Sequence, residues 1–224
     1  MSAPAGPDLS APVLGGLAAQ AARLRERIAA GKRRAGWKVA LNDPRVQRAL
    51  GIAAPVIGHL TSATVLAPGD THSLAGATRA AIEPEVAIHM GEEGRIAGLG
   101  TALEIIDVDL PFEDLGAILE GNVFHRAAVL GPPVAGVTDL AGRTGRMTRG
   151  DGEQTTIDVA QAALDPAEVV LLVSGYLEAV GDALSPGDVI IAGSLVTAVP
   201  LGGDERVALE IDGLGSVALE IKSA

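Results

Sequence analysis

Residues 80–90, AAIEPEVAIHM, set two carboxylates, Glu83 and Glu85, inside an otherwise apolar run. Ile82, Val86 and Ile88 give the segment the look of a core strand. Side chains two apart on a strand point the same way, so the two acids share a face about 7 Å apart along the backbone. The plain reading is a half-exposed strand showing its polar face to water. The sharper reading is a site for a hard metal ion. A third acid, Glu104 in TALEIID (101–107), occupies another apolar run able to pair nearby. Three convergent carboxylates with open positions suit Mg²⁺ or Mn²⁺. Burying them without a cation costs several kcal/mol each or forces protonation.

Upstream of this strand, Leu17, Ala21, Leu24 and Ile28 recur at three- and four-residue steps and predict a helix over 14–30, preceded by a frayed tail up to about Pro12. GWKVALN (36–42) reads as a short strand or extended piece. DPRVQRALG (43–51) predicts a helix with Asp43 as N-cap, Pro44 at its first position and Gly51 as its stop. From Ile57 the pattern turns to β, with candidate strands at 63–66, 80–89, 100–107, around Val134, 154–159, 189–192, 206–211 and 216–221. Two helices interrupt it. One is expected from near Phe112 towards Gly121–Asn122. The other is capped by Asp165 and Glu168, carries the stripe Val169, Leu172, Val173, Tyr176, Val180 and Leu184, and ends at SPGD. No internal repeat is present. The expected fold class is α+β: a small helical N-terminal part over 1–56 and a mostly β body over 57–224.

Composition narrows the function classes. Of 224 residues 48% are hydrophobic but only 2% aromatic, so a sizeable core must be built from Ala, Val, Leu and Ile. With no cysteine there is no disulfide, thiolate nucleophile or Cys-ligated metal. The net charge of −11 argues against nucleic acid and anionic membrane as partners. No apolar run reaches the roughly 18 residues of a membrane span, and no secretory signal is evident, so a cytoplasmic protein is expected.

Further motifs follow in order: GWKVALNDPRVQRALGI (36–52), PVIGHL (55–60), IEPEVA (82–87), ALEIID (102–107), GNVFHRAAVLG (121–131), GDVIIAGSL (187–195) and GLGSV (213–217). Together they resemble the 2-keto-4-pentenoate hydratase branch of the fumarylacetoacetate hydrolase superfamily, collinearly from Gly36 to the C-terminus. The resemblance implies a mixed β-barrel or roll body and Mg²⁺ or Mn²⁺ held by Glu83, Glu85 and Glu104. It implies Lys38 as proton shuttle, a small 2-oxo or 2-hydroxydienoic acid as substrate, Ser194, Asn122 and Leu60 as substrate-binding positions, and a homo-oligomer. The implied reaction is hydration of a 2-hydroxy-2,4-dienoate, in the setting of aromatic catabolism. A metal that chelates the acid head polarises the C2 carbonyl, and a lysine beside it loses its proton more easily.

Departures from that pattern leave alternatives open. Where the hydratases carry an Asp assisting the lysine, the alignment gives Ala63; Gly121 replaces an Asp; Phe124 and His125 follow Asn122; and the span between Glu85 and Glu104 is short. His125 is the candidate to supply the missing acid–base function, with His59 as a second, whereas His72 and His89 read as turn and strand-surface residues. A 2-oxo-3-enedioate decarboxylase, an acylpyruvate-type C–C hydrolase and a non-catalytic homologue remain as other readings.

Overall fold

A computed structural model describes residues 6–150 and 152–223. The chain begins with α1 (Ala11–Ala29), β1 (Arg34–Ala40), α2 (Pro44–Leu50), β2 (Val56–Thr61), β3 (Val65–Leu66), β4 (Thr71–Ser73) and β5 (Ala80–Met90). It continues through β6 (Ile96–Asp107), α3 (Leu115–Glu120), β7 (His125–Leu130), β8 (Val134–Ala135), β9 (Thr144–Arg149) and β10 (Glu153–Asp158). The last elements are α4 (Val159–Ala162), α5 (Pro166–Ala179), β11 (Val189–Ile191), β12 (Val199–Pro200), β13 (Glu205–Ile211) and β14 (Gly215–Lys222).

The result is a mixed α+β fold, mostly sheet, in which the larger sheet curls into a half-barrel. Its nine strands run β2-β1-β11-β5-β6-β7-β3, with β12 added beside β5 and β8 beside β6. A second sheet has the order β10-β9-β13-β14-β4. The long antiparallel β5–β6 ladder is the spine of the larger sheet, and it sets Glu83 directly opposite Glu104. β1 pairs antiparallel with β2 on one side and parallel with β11 on the other. That parallel approach needs glycine at position 36: a Cβ there would lie 1.9 Å from the Val189 carbonyl oxygen, and φ is +147°.

Both long helices pack on the outer face of this sheet, where Trp37, Ile57 and the stripe Val169, Leu172, Val173, Tyr176 and Leu177 join the main core. α5 is capped as expected, the Asp165 carboxylate accepting from the Ala167 and Glu168 N–H groups. α2 likewise starts on Asp43 and stops at Gly51 in the left-handed region.

Several expectations are corrected. The N-terminal tail is not frayed over residues 8–12: the Asp8 N–H donates to the Tyr176 hydroxyl at 2.9 Å, which itself donates to the Pro55 carbonyl at 2.9 Å. The Asp8 carboxylate accepts from Ala53 N–H at 2.8 Å, and α1 is already helical at Ala11. The part of that tail before Gly6 lies outside the described residues. A boundary at residue 57 would cut a continuous sheet, because β1 comes from the N-terminal segment and lies between β2 and β11. The helix expected from Phe112 begins only at Leu115, where the Asp114 side chain caps the Ala117 N–H. α5 ends at Ala179, short of SPGD, and β9 fills a stretch where the sequence suggested no strand. Among the described residues no helix is long and apolar enough to cross a membrane.

Candidate active site

Period-2 alternation puts Lys38 of β1, Glu83 and Glu85 of β5 and Glu104 of β6 on the inner face of the half-barrel. One carboxylate oxygen from each glutamate lies within 4.8 Å of the others. Glu85 and Glu104 are fully buried, while Glu83 faces the cleft above them. Like charges directly opposite across a ladder are destabilising. Here the pair Glu83–Glu104 is joined by a third acid against a single cation.

That cation is tightly held. Lys38 Nζ donates to Glu104 Oε1 at 2.5 Å and to the Val123 carbonyl at 3.0 Å. Val123 is the middle of three consecutive non-glycine residues with positive φ, Asn122 (67°), Val123 (50°) and Phe124 (65°). Such a run stores backbone strain that tolerant sites avoid. It is pinned by Asn122, whose side-chain oxygen accepts from His59 N–H at 2.7 Å and whose amide donates to the His59 carbonyl at 2.9 Å. The close quarters require glycine at position 58, where a Cβ would sit 2.8 Å from both Asn122 Oδ1 and Lys38 Cγ.

A bulge between Ile105 and Ile106 shifts the β6–β7 register, so that His125 lies opposite Ile106 on the inner face. Its Nδ1 meets Glu104 Oε1 at 2.6 Å. Burial pushes the His125 imidazole below its usual range, partly opposed by the Glu104 hydrogen bond. Burial also pushes Glu104 up, but Lys38 and the His125 contact outweigh it and leave its carboxyl below the ordinary value. Glu83 and Glu85 have no such cation. Burial, then the charge of Glu104, raises Glu83 to about 7, and burial with Glu104 and Glu83 raises Glu85 well above the usual range. Gly193 N–H donates to Glu85 Oε2 at 2.7 Å. Glu85 Oε1, Glu104 Oε2 and His125 Nε2 are buried without a hydrogen-bond partner.

Three carboxylates against one lysine leave a net charge of about −2 when all are ionised. Orphaned buried oxygens from two strands point into the same space. A hard divalent cation fits that donor set in charge and in ligand type.

Above the carboxylates opens a cleft of about 830 Å³, floored by Lys38 and Glu83 and walled by α2, the 106–112 segment, Phe124 and the 194–198 loop. Ser194 lines it, with its hydroxyl donating to the Val196 carbonyl at 2.6 Å. The structure thus brings together Lys38, Glu83, Glu85, Glu104 and His125, with Ser194 on the rim.

Three expected site residues are elsewhere. His59 points to the outer face of β2, into a small cavity under α1 and α5 beside Gln20, Trp37 and Tyr176, because Lys38 and Gly58 take the inner face. Asn122 spends both ends of its amide on the His59 backbone. Leu60 is fully buried beneath the site, packed with Ala87, Ala102, Ala128 and Ile191 as an apolar floor. Ala63 lies exposed in the turn after β2. Sequence reasoning missed the Val123 carbonyl, the Gly193 N–H and Phe112 as parts of the site. Only Phe112 had a signal, since the chain has just two phenylalanines and both line the cleft.

No protein-family model matches the chain. It is 26% identical over 226 residues to the TodF product hydratase of Pseudomonas putida, spanning 92% of this chain and 83% of that one. It is 28% identical over 210 residues to a 4-oxalocrotonate decarboxylase of a Pseudomonas species, spanning 87% and 81%. Among solved structures, 4-oxalocrotonate decarboxylase from Pseudomonas putida G7, complexed with magnesium and adipate, superposes with a TM-score of 0.78 at 20% identity, covering 91% of this chain and 84% of that one. Along nearly all its length the chain is thus similar in sequence to proteins named as hydratases and 4-oxalocrotonate decarboxylases, and it shares the fold of the latter.

Proposed function

We propose that the chain is a divalent-metal-dependent lyase that adds water to a 2-hydroxy-2,4-dienoate, giving a 4-hydroxy-2-oxo acid. The observation that carries this reading is the trio of carboxylates and one lysine at the floor of an apolar-walled cleft. Glu83, Glu85 and Glu104 would hold Mg²⁺ or Mn²⁺, which supplies Lewis-acid polarisation of the substrate's carboxylate and C2 oxygen when bound.

The chain's own residues account for the proton chemistry. Ketonisation moves a proton from the 2-hydroxyl to C5, and hydration then adds hydroxide to C4 and a proton to C3. Lys38 Nζ lies at the cleft floor beside the carboxylates, which supports the reading of it as the proton carrier at that end. The Val123 carbonyl and Glu104 fix where that ammonium points. His125 Nδ1 holds Glu104 from behind, so His125 acts on the site through Glu104's orientation rather than by touching substrate. Apolar side chains such as Val46, Ile106, Phe124 and Val196 make up much of the cleft wall.

Incubation with Mg²⁺ or Mn²⁺ and 2-hydroxypenta-2,4-dienoate tests the proposal. Loss of the dienoate absorbance with formation of 4-hydroxy-2-oxopentanoate supports it. Metal binding without any turnover of dienoates removes it. The likeness to 4-oxalocrotonate decarboxylases favours one second reading, expulsion of CO₂ from a 2-oxo-3-enedioate on the same residues, detected as CO₂ release. The proposal includes assembly as a homo-oligomer, read by light scattering.

A further inference from the structure

The chain is poor in aromatic residues, with one Trp, one Tyr and two Phe. Both phenylalanines line the cleft, their ring centroids 5.6 Å apart and the rings tilted by 49°. Phe124 is buried, and its backbone is held at φ +65°. Phe112, one of only four aromatic side chains, is 41% exposed at the rim. Opposite them, Val46 reaches in from α2 and Leu41 from the end of β1, with Ile106 and Val196 completing an apolar wall. No residue of α2 is fully buried, and Leu50 at its end packs half-buried against the main core.

The upper part carries no charged side chain other than the Asp43–Arg45 pair at the mouth. Among the described lining residues the cations are Lys38, committed to Glu104 at the floor, and Arg45 at the mouth. Arg45 is already engaged, its Nη2 and Nε donating to Asp43 Oδ2 at 2.7 and 3.1 Å. A substrate tail ending in a carboxylate would therefore lose water without gaining a free cation. The volume of about 830 Å³ lies within the roughly 300–1,000 Å³ of pockets for drug-sized ligands, far beyond the needs of a pentadienoate.

The geometry points to a 2-oxo acid substrate whose distal end is an uncharged planar apolar group, an aryl or extended alkenyl substituent packed against Phe124 and Phe112, and not a second carboxylate. This rests on the proposed function for the head group and adds the tail. It also separates this chain from decarboxylation of an enedioate, which requires a diacid.

Calorimetric titration of the Mg²⁺-saturated protein with oxalate and pyruvate reads the head alone, and phenylpyruvate and 2-oxoadipate read the two tails. Phenylpyruvate is expected to bind at least about tenfold more tightly than pyruvate, and 2-oxoadipate no more tightly than pyruvate. Phe112→Ala, a half-exposed position, should lower phenylpyruvate affinity by several-fold more than it lowers pyruvate affinity and so remove most of the advantage. Pyruvate binding with 2-oxoadipate preferred, or an equal loss for both acids in Phe112→Ala, overturns the inference and leaves the head-group reading intact. Failure of oxalate and pyruvate to bind with metal present overturns both. In turnover, the ratio of kcat/KM for 2-hydroxy-6-phenylhexa-2,4-dienoate over 2-oxohex-3-enedioate should exceed about ten, and a ratio below one rejects the assignment.

Discussion

Two antiparallel ladders in this molecule carry glutamates, and they treat them in opposite ways. In the five-stranded sheet, Glu210 faces Arg146 across β13–β9 and Glu220 faces Arg206 across β14–β13, with closest ion-pair distances of 3.3 and 3.1 Å. All four side chains are well exposed. In the nine-stranded sheet, Glu83 faces Glu104, Glu85 lies one pleat along the same face, and one lysine serves all three. The outer ladder follows the rule that opposite charges pair across strands, and the inner ladder breaks it with Glu85 and Glu104 fully buried and Glu83 at the cleft. A fold keeps such an arrangement where something outside the polypeptide completes the charge balance.

The largest effect should come from removing the inner cation. Lys38→Met leaves Glu104 buried with only a neutral imidazole beside it, a change that costs about 3–5 kcal/mol when one partner of a buried pair is lost. Thermal melting without metal should drop accordingly, and dienoate turnover should fall by about 10²–10⁴-fold. Saturating Mg²⁺ should recover much of the melting temperature and none of the turnover. Recovery of both would remove Lys38 from the chemistry.

Next in size is Glu85→Gln, where the two ladders predict opposite signs. Glu85 is raised well above the ordinary carboxylate range by burial and by its two acidic neighbours, so neutralising it relieves repulsion. The metal-free protein should melt a few degrees higher. Metal affinity should nevertheless fall by more than about 100-fold, since loss of a ligand exceeds the about 10–100-fold typical of groups that merely orient one. A variant less stable without metal and unchanged in affinity would mean that the trio is only structural.

The pattern of Glu83, Glu85 and Glu104 was legible in the sequence as three acids in apolar runs, and the strands that carry them lie where periodicity put them. Lys38 was legible only through the family resemblance, because nothing local marks β1 as the strand between β2 and β11. Pairing across 150 residues, as between Gly36 and Val189, leaves no short-range signal. His125 was named for its residue type, yet its contact with Glu104 depends on a one-residue bulge that inverts which side chains face inward. Asn122 was misread for a related reason. The family resemblance implied a substrate contact, while the left-handed turn it begins aims its amide at the β2 backbone. His59 and Leu60 illustrate alternation itself: neighbours on one strand, they face opposite sides, and neither reaches the cleft.

His59 gives a prediction of intermediate size that separates burial from catalysis. Burial first, with the nearby charges of Arg27, His125 and Lys38, lowers its pKa from 6.5 to about 3. Above pH 6.5 the ring is neutral in folded and unfolded chains, so it does not affect stability there. As pH falls below 6.5 the unfolded chain takes a proton that the folded one refuses, and stability is lost progressively towards pH 3. At pH 5 the loss amounts to about 2 kcal/mol. In His59→Leu the decline in unfolding free energy between pH 7 and 5, read from urea titrations, should shrink by that amount, with turnover at pH 8 close to wild type. A steep loss of turnover at pH 8 would return His59 to the site.

The smallest effect closes the comparison from the other side. Glu210→Gln removes the same chemical group as Glu85→Gln, from the ladder where the charges alternate and face water. Exposed ion pairs contribute little and are screened by salt, so the melting temperature should shift by only about 1 °C at low ionic strength and not measurably at 1 M salt. Metal affinity should not change, because Arg146 and Glu210 belong to the other sheet. Were Glu210→Gln to alter metal affinity as much as Glu85→Gln does, the effect would be one of total charge on a chain of net −11, and the inner ladder would hold no special claim to the cation.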